Sequence, residues 1–564
     1  MNLKPIIGPL TIAAACMMAA CSPYASVAEK RPYFRPVRSA VGALVSVERE
    51  IADAMRREKS APLVAIGEYL NAAKTASRQL AFDPNDAHAR DAYNFAVARV
   101  FGTIKQANLD PWTRPLNVPE TGGGFTLTYK PDPRKAWNPG LYDFTPADQV
   151  DIKGSYVSQH TVKPGVGAPL VAVGRGMNQE AKTEFGIPKI YYGVTAVIRF
   201  EGSRAVVALE DPLADESVVI GDRSFPLAAD YTASIAVMLA NNDPKKLELA
   251  RLLQPEKYAE TAHIARLQPY DPNKTVVLVI HGLMDSPATW VPMLNALRGD
   301  ERIRKNYQFW FYSYPSGYPY PYSASILRSE LDAIQKRFPL RKKMVVLGHS
   351  MGGCISRLLI TDTSDEKLWL KLVHKPPGEV QMSRESRKLF TEALIFRSRP
   401  EIGRVVFIAA PLKGSDLASG WMGRLGSRLV RAPATLLAAG TDALKLATFQ
   451  GDDLRLKQIP NSVDTLAPNN RFVRAIQTVP VAPGIPCHVI CGDRGKGGNH
   501  DKTSPVRSDG VVPYWSSHMD GASSELIVPS NHSAHQNPQA IGEVKRILEL
   551  HSRGHWNESR RNSP

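Results

Sequence analysis

Cysteine is scarce in this chain, with five among 564 residues. Cys16 and Cys21 lie close to the N-terminus, which leaves Cys354, Cys487 and Cys491 for the rest. Three thiols make no disulfide framework. Cys487 and Cys491 stand four residues apart on one predicted strand, roughly 13 Å, beyond the reach of a bridge. They form no metal-ligand pattern either, so neither a metal nor a cofactor is expected. Long apolar runs are missing as well: the N-terminal run from Ile6 to Ala20 falls short of the ~20 residues that a confident membrane span needs. There is no acidic surplus. Lys plus Arg exceed Asp plus Glu by 70 − 54 = 16, a balance that suits an anionic partner. The basic residues are nevertheless scattered in short clusters, such as Lys336, Arg337, Arg341, Lys342 and Lys343. No nucleic-acid motif accompanies them, so they read as solvated faces and nucleic acid is not an expected partner. Internal repeats are absent too: the stretch from Asp83 to Phe101 has the look of one tetratricopeptide-type helix pair, and no second copy follows.

What is present describes a folded protein. Apolar residues at 43% and charged residues at 22% are ordinary globular values, and the length suits two or three units. The start of the chain carries one positive charge at Lys4 before its small-residue-rich apolar run, the pattern of a signal peptide over residues 1–20. The run ends in Met18-Ala19-Ala20-Cys21, which resembles the lipobox of bacterial lipoproteins. That resemblance implies that Cys21 becomes the mature N-terminus and the site of lipid attachment, so that the chain meets a membrane through an N-terminal lipid anchor. Ser22 follows, and a non-acidic residue there implies sorting to the outer membrane, on its periplasmic or surface side.

The rest divides by composition. Residues 21–115 read as helical, with Val41, Leu44, Val45, Ile51 and Met55 at helical spacing. Pro111, Pro115 and Pro119 followed by Gly122-Gly123-Gly124 mark a boundary. Residues 116–265 then cluster β-branched and aromatic residues between turns, as in Ile190–Phe200 and Ser203–Leu209, and read as β-rich. From 266 to 555 the rhythm is strand, helix, strand, with short apolar strands that lack alternation, as parallel strands buried on both faces require. Strands are predicted at Val276–Ile280, Gln308–Tyr312, Met344–Leu347, Val405–Ile408, His488–Cys491 and Leu526–Val528. Residues 556–564 read as a flexible tail.

The chemistry concentrates in that last region. The strand Met344–Leu347 feeds Gly348-His349-Ser350-Met351-Gly352-Gly353 and then a helix with Ile355, Leu358 and Leu359 on one face. A nucleophilic serine needs a sharp strand-to-helix turn to stand its hydroxyl free, and glycines two before and two after leave room for the backbones. Ser350 occupies that spot. The helix beginning beyond it directs backbone N–H groups at the site, so the Met351 amide can hold a developing oxyanion. A serine also needs a base, and the base an acid to fix its tautomer. After the strand His488–Cys491, the acid candidates are Asp509 in Ser508-Asp509-Gly510-Val511-Val512-Pro513, Asp493 near the strand end, and Asp501. After Leu526–Val528, the base candidates are His532 and His535, with Asn537 and Pro538 suited to start the next helix. His532 is the nearer to its strand end, and His535 reads as a neighbour packing on the helix start.

Residues from about 272 to 551 resemble the α/β-hydrolase superfamily, particularly its lipase and esterase branch. The resemblance implies an α/β fold with a doubly wound, mostly parallel sheet, and a carboxylic ester hydrolase working by a Ser350–His532–Asp509 triad through an acyl-enzyme. The turn led by Asp509 is similar to the acid loop of bacterial lipases. His281-Gly282-Leu283-Met284 stands where lipases and esterases carry their oxyanion motif, which makes the Leu283 amide the second donor. Pro411-Leu412-Lys413-Gly414-Ser415 is similar to the Pro…Gly-Ser loop after a later strand, with Leu412-Lys413 replacing its usual His-Arg. An insertion over about 415–478, with Trp421, Met422, Leu425, Leu429, Leu436 and Leu437 at helical spacing, falls where the fold carries a helical lid; the same residues suit a small helical subdomain packed on the core. The Tyr-Pro run from Tyr312 to Tyr322 lines a substrate pocket or packs in the core. Two further readings share these residues: acyl transfer on the same triad, and a non-catalytic envelope-binding lipoprotein that uses the fold as a scaffold. The natural ester or lipid substrate and the oligomeric state are not readable from the residues.

Overall fold

The structure, a computed structural model, describes residues 24–36, 42–120, 123–131, 138–176, 189–242, 244–415, 462–495 and 507–561. Cys21, Asp501 and residues 416–461 of the expected insertion lie outside the described residues. The chain divides into two compact units, one of Met1–Asn178 with Lys189–Lys245 and one of Gln179–Pro188 with Lys246–Pro564. Among the described residues, no helix is long and apolar enough to cross a membrane.

In the first unit the helical and β-rich stretches share one core. Helices Ala43–Arg57, Pro62–Phe82 and Ala87–Gln106 pack with a six-stranded sheet. Proline at its first position starts the second helix, and the Asp86 side chain caps the third by accepting from the Ala89 N–H at 2.9 Å. Alanines at 65, 72, 73 and 76 are fully buried, which lets the neighbouring helices lie close. The sheet runs Leu116–Glu120, Gly123–Tyr129, Arg204–Glu210, Tyr191–Glu201, Ala168–Gly174, Tyr142–Pro146, with one parallel pair. Strand Ala168–Gly174 stops pairing at Ala196. Just beyond, Tyr93 takes over: its hydroxyl donates to the Ile198 carbonyl at 2.8 Å and accepts from the Ile198 N–H at 2.9 Å.

The second unit is built on a seven-stranded sheet. Its strands are β1 (His263–Arg266), β2 (Thr275–Ile280), β3 (Tyr307–Ser313), β4 (Met344–His349), β5 (Ile402–Ile408), β6 (Cys487–Asp493) and β7 (Ser524–Pro529). The order is β1-β3-β2-β4-β5-β6-β7, with β1 antiparallel and the rest parallel. Every residue of β2, β3, β4 and β6 is buried, as a sheet covered on both faces demands. The six predicted strands are all present and each extends one to three residues further at one or both ends. β1 was not foreseen: it has four residues and only Ile264 is fully buried, too little for a periodic signal.

Register decides where the site lies. Ile280 is opposite both Tyr312 and Gly348, His349 opposite Ile408, and Asp493 opposite Pro529. The strands therefore end along one edge, where the loops after β2, β4, β5, β6 and β7 gather. The helix after β4, Met351–Leu359, buries Met351, Ile355, Leu358 and Leu359. Asn537 caps the last helix, Pro538–Arg561, by accepting from the Gln539 N–H at 2.8 Å. That helix buries Ala540, Val544, Ile547 and Leu548, while Ile541 is only half-buried.

Candidate active site

The turn at Ser350 follows from its glycines. Ser350 has φ 52° and ψ −125°, a conformation that costs a non-glycine residue free energy and that its surroundings must hold. A Cβ on Gly348 would run into Ser356 Oγ and the Gly352 backbone, and one on Gly352 into the carbonyls of Ile280 and His281. The elbow thus fits only because both positions lack a side chain. A Cβ on Gly282 would come within 2.9 Å of Ser350 Cβ, so the loop after β2 lies directly against the serine. That loop carries Leu283, and Met351 opens the helix on the serine's other side.

Ser350, His532 and Asp509 come together from the loops after β4, β7 and β6. His532 Nε2 is 2.8 Å from Ser350 Oγ, and His532 Nδ1 is 2.7 Å from Asp509 Oδ2. Asp509 is 1% exposed, and its other oxygen accepts from the Val511 and Val512 N–H groups, both at 2.7 Å. A carboxylate can only accept. Nδ1 of His532 therefore carries the proton it donates to Asp509, and Nε2 is left to receive the Ser350 O–H. The other candidates stand elsewhere: Asp493 accepts from the Gly495 N–H at 2.7 Å, closing a turn next to β6. His535 is buried with its ring 5.0 Å from that of Trp290 and 4.0 Å from that of His349.

Several supports are visible only in three dimensions. Tyr314 stacks on His281 with ring centroids 4.3 Å apart, donates its hydroxyl to the His281 carbonyl at 2.8 Å, and donates its N–H to His281 Nε2 at 3.3 Å. His281 Nδ1 in turn faces the Gly282 carbonyl at 2.9 Å. One donor and one acceptor fix a neutral imidazole, and burial, opposed by the charge of Asp285 and the Gly282 bond, pulls its pKa down to about 4. Tyr312, Tyr314 and Tyr320 of the Tyr-Pro run are core residues, and Tyr314 braces the loop that bears Leu283. The loop after β5 braces the Asp509 turn: Ser415 Oγ donates to the Val511 carbonyl at 2.6 Å, and Ser516 Oγ accepts from the Lys413 N–H at 3.3 Å and donates to the Gly414 carbonyl. The Pro…Gly-Ser pattern had pointed to this loop without revealing what it holds.

Among the described residues, Asp285, His349 and His535 are a buried group whose ligand atoms lie within 4.8 Å of one another, close enough to hold a metal ion. Asp285 and His349 already face each other, His349 Nδ1 being 3.3 Å from Asp285 Oδ2.

The fold and this edge define the second unit as an α/β-hydrolase fold. A model of the alpha/beta hydrolase family matches residues 276–544, just under half of the chain. Among solved structures, lipase BlEst2 of Bacillus licheniformis in its mature form is similar at 16% identity, with 51% of this chain and 98% of that one covered and a TM-score of 0.31. The metagenomic carboxyl esterase MGS0156 is similar at 15% identity, covering 51% of this chain and 78% of that one, with a TM-score of 0.29. Esterase B of Lactobacillus rhamnosis, in an inhibited form, is similar at 14%, covering 58% and 99%, with a TM-score of 0.30. No curated protein matches.

Proposed function

We propose that the chain is a serine hydrolase of carboxylic esters. Ser350 attacks the ester carbonyl while His532 Nε2 takes the hydroxyl proton, and the same nitrogen returns it to the leaving alcohol. Asp509 holds the imidazole in its Nδ1–H tautomer and stabilises the cation formed in the transition state. The Leu283 and Met351 amides receive the oxyanion. Water, activated by His532, then hydrolyses the acyl-enzyme. The observation that supports this reading most is the pair of distances at His532, 2.8 Å to Ser350 Oγ and 2.7 Å to Asp509 Oδ2. A Ser350→Ala variant is expected to lose p-nitrophenyl ester hydrolysis and fluorophosphonate labelling with its thermal unfolding unchanged. Turnover that survives in that variant rejects the assignment.

The substrate we propose is an ester or lipid of the cell envelope, reached by an enzyme held at the membrane through a lipid on Cys21. The small-residue run before Cys21 supports this placement. Metabolic labelling with a radioactive fatty acid should mark the wild-type protein and not Cys21→Ser; equal labelling of both removes the anchor.

A further inference from the structure

Buried imidazoles declare their charge by what faces their two nitrogens. At His281 one partner donates and the other accepts. At His349 both accept. Nε2 lies 2.7 Å from the main-chain carbonyl of His532, and Nδ1 lies 3.3 Å from Asp285 Oδ2. Asp285 is itself engaged only by donors: the Ser286 N–H at 2.8 Å on Oδ1 and the Gly282 N–H at 3.2 Å on Oδ2. A carbonyl oxygen and a carboxylate have no proton to give, so two bonds at His349 require two protons on its ring.

We propose that His349 is a buried imidazolium, paired with Asp285, that positions His532 by donating to its carbonyl and sets the charge around it. His349 is a positioning residue, and this role rests on the serine-hydrolase reading above. The rings of Trp290, His535 and His532 lie 6.4, 4.0 and 5.0 Å from that of His349. Asp285 is the acid that faces His349 directly; His281, His532 and His535 are the other titratable groups against the pair, with Arg251 and Tyr314 beyond His281, Asp509 beyond His532 and Glu248 beyond Ser286. Burial drives the His535 pKa well below the usual histidine value, so that ring stays neutral against His349. Burial raises the Asp285 carboxyl, but the hydrogen bond and positive charge of His349 outweigh it and leave that group below the usual carboxylate range.

The charge count gives a test that a purely structural role would not meet. With the pair intact, the two charges cancel beside His532. His349→Gln keeps an N–H donor for the carbonyl and strands the Asp285 anion, which favours protonated His532. The acidic limb of the kcat/KM profile should then move to higher pH by about one unit. Adding Asp285→Asn to make the double variant removes the stranded charge, and the limb should return. Histidine-labelled wild-type protein supplies a readout that needs neither activity nor a variant that folds: 15N shifts of His349 should show both nitrogens protonated at neutral pH. A bare nitrogen on that ring at neutral pH, or a limb that stays in place in His349→Gln, overturns the proposal. So does one metal ion per purified wild-type chain that Asp285→Asn releases, because an ion and not a proton would then join the pair. If the wild type neither hydrolyses esters nor labels with fluorophosphonate, the serine-hydrolase reading fails, while the 15N measurement still decides the charge of His349.

Discussion

Tyr93 in the first unit and Asp509 in the second are both polar side chains closed off from water, yet their regions use burial differently. Tyr93 belongs to a large cluster of buried apolar side chains, and the hydroxyl's two bonds go to the N–H and C=O of Ile198, beyond the point where strand Ala168–Gly174 stops pairing. The interaction completes a sheet and ends there. Around Asp509, one oxygen accepts from two backbone amides and the other faces His532, whose second nitrogen faces Ser350, so the bonds run on from side chain to side chain. The neighbouring backbone at Ser350 stands at positive φ. The first region uses a buried polar group to satisfy its own backbone; the second keeps polar groups and strain where an apolar packing would be more stable. Natural proteins tolerate such departures from local consistency mainly where function needs them.

Breaking each region should therefore read out differently. The largest effect is expected from Asp509→Asn. The amide oxygen can still accept from Val511 and Val512, so the turn survives, but the amide no longer holds the His532 tautomer. A fall of about 10⁴ in kcat is expected, with the unfolding midpoint nearly unchanged. A fall below tenfold would show that Asp509 does not serve His532.

Tyr93→Phe should do the reverse. It removes a hydroxyl and leaves a buried N–H and C=O at Ile198 unpaired, a loss of about 2–4 kcal/mol in the stability of the first unit. Chemical denaturation should report that loss, with ester turnover per folded molecule unaltered. A variant as stable as the wild type would mean that water reaches Ile198 and that this region is not the closed core described above.

How much of this could be read beforehand depends on the range over which each cause acts. The strands of the second unit were legible because Val276–Ile280 and Met344–Leu347 are apolar without alternation, a signal contained in five or fewer residues. The candidates Ser350 and His532 could be named for a similar reason, since each stands on the loop just after such a strand, whereas Asp509 was named from its Asp-Gly-Val-Val turn after a long polar loop. In the structure the two differ in their partners, Asp509 facing His532 and Asp493 closing a turn with Gly495, a difference that the turn motif around Asp509 only suggested. The facing of Asp285 and His349 spans 64 positions of sequence and depends on two loops folding against each other. The edge strand His263–Arg266 went unseen because pairing with β3, and not its own composition, makes it a strand. In the first unit, the change from helical to β-rich composition was visible. The shared core was not, because it arises only when Tyr93 and its neighbours meet the sheet.

The smallest effect should come from Ser415→Ala, and it tests the comparison most finely. Ser415 stands between the two uses of burial: its hydroxyl bonds a carbonyl, as Tyr93 does, but that carbonyl belongs to Val511, whose N–H holds Asp509. If the bond acts only on the backbone of the turn, its loss costs about 1 kcal/mol, and the two amide bonds to Asp509 still aim the carboxylate. Saturation kinetics should then show kcat lowered by less than tenfold, KM unchanged, and a small drop in thermal midpoint. A hundredfold loss of kcat without a change in stability would place Ser415 within the geometry of the proposed proton transfer, because only a displaced Asp509 oxygen could connect so slight a deletion to so large a change in rate.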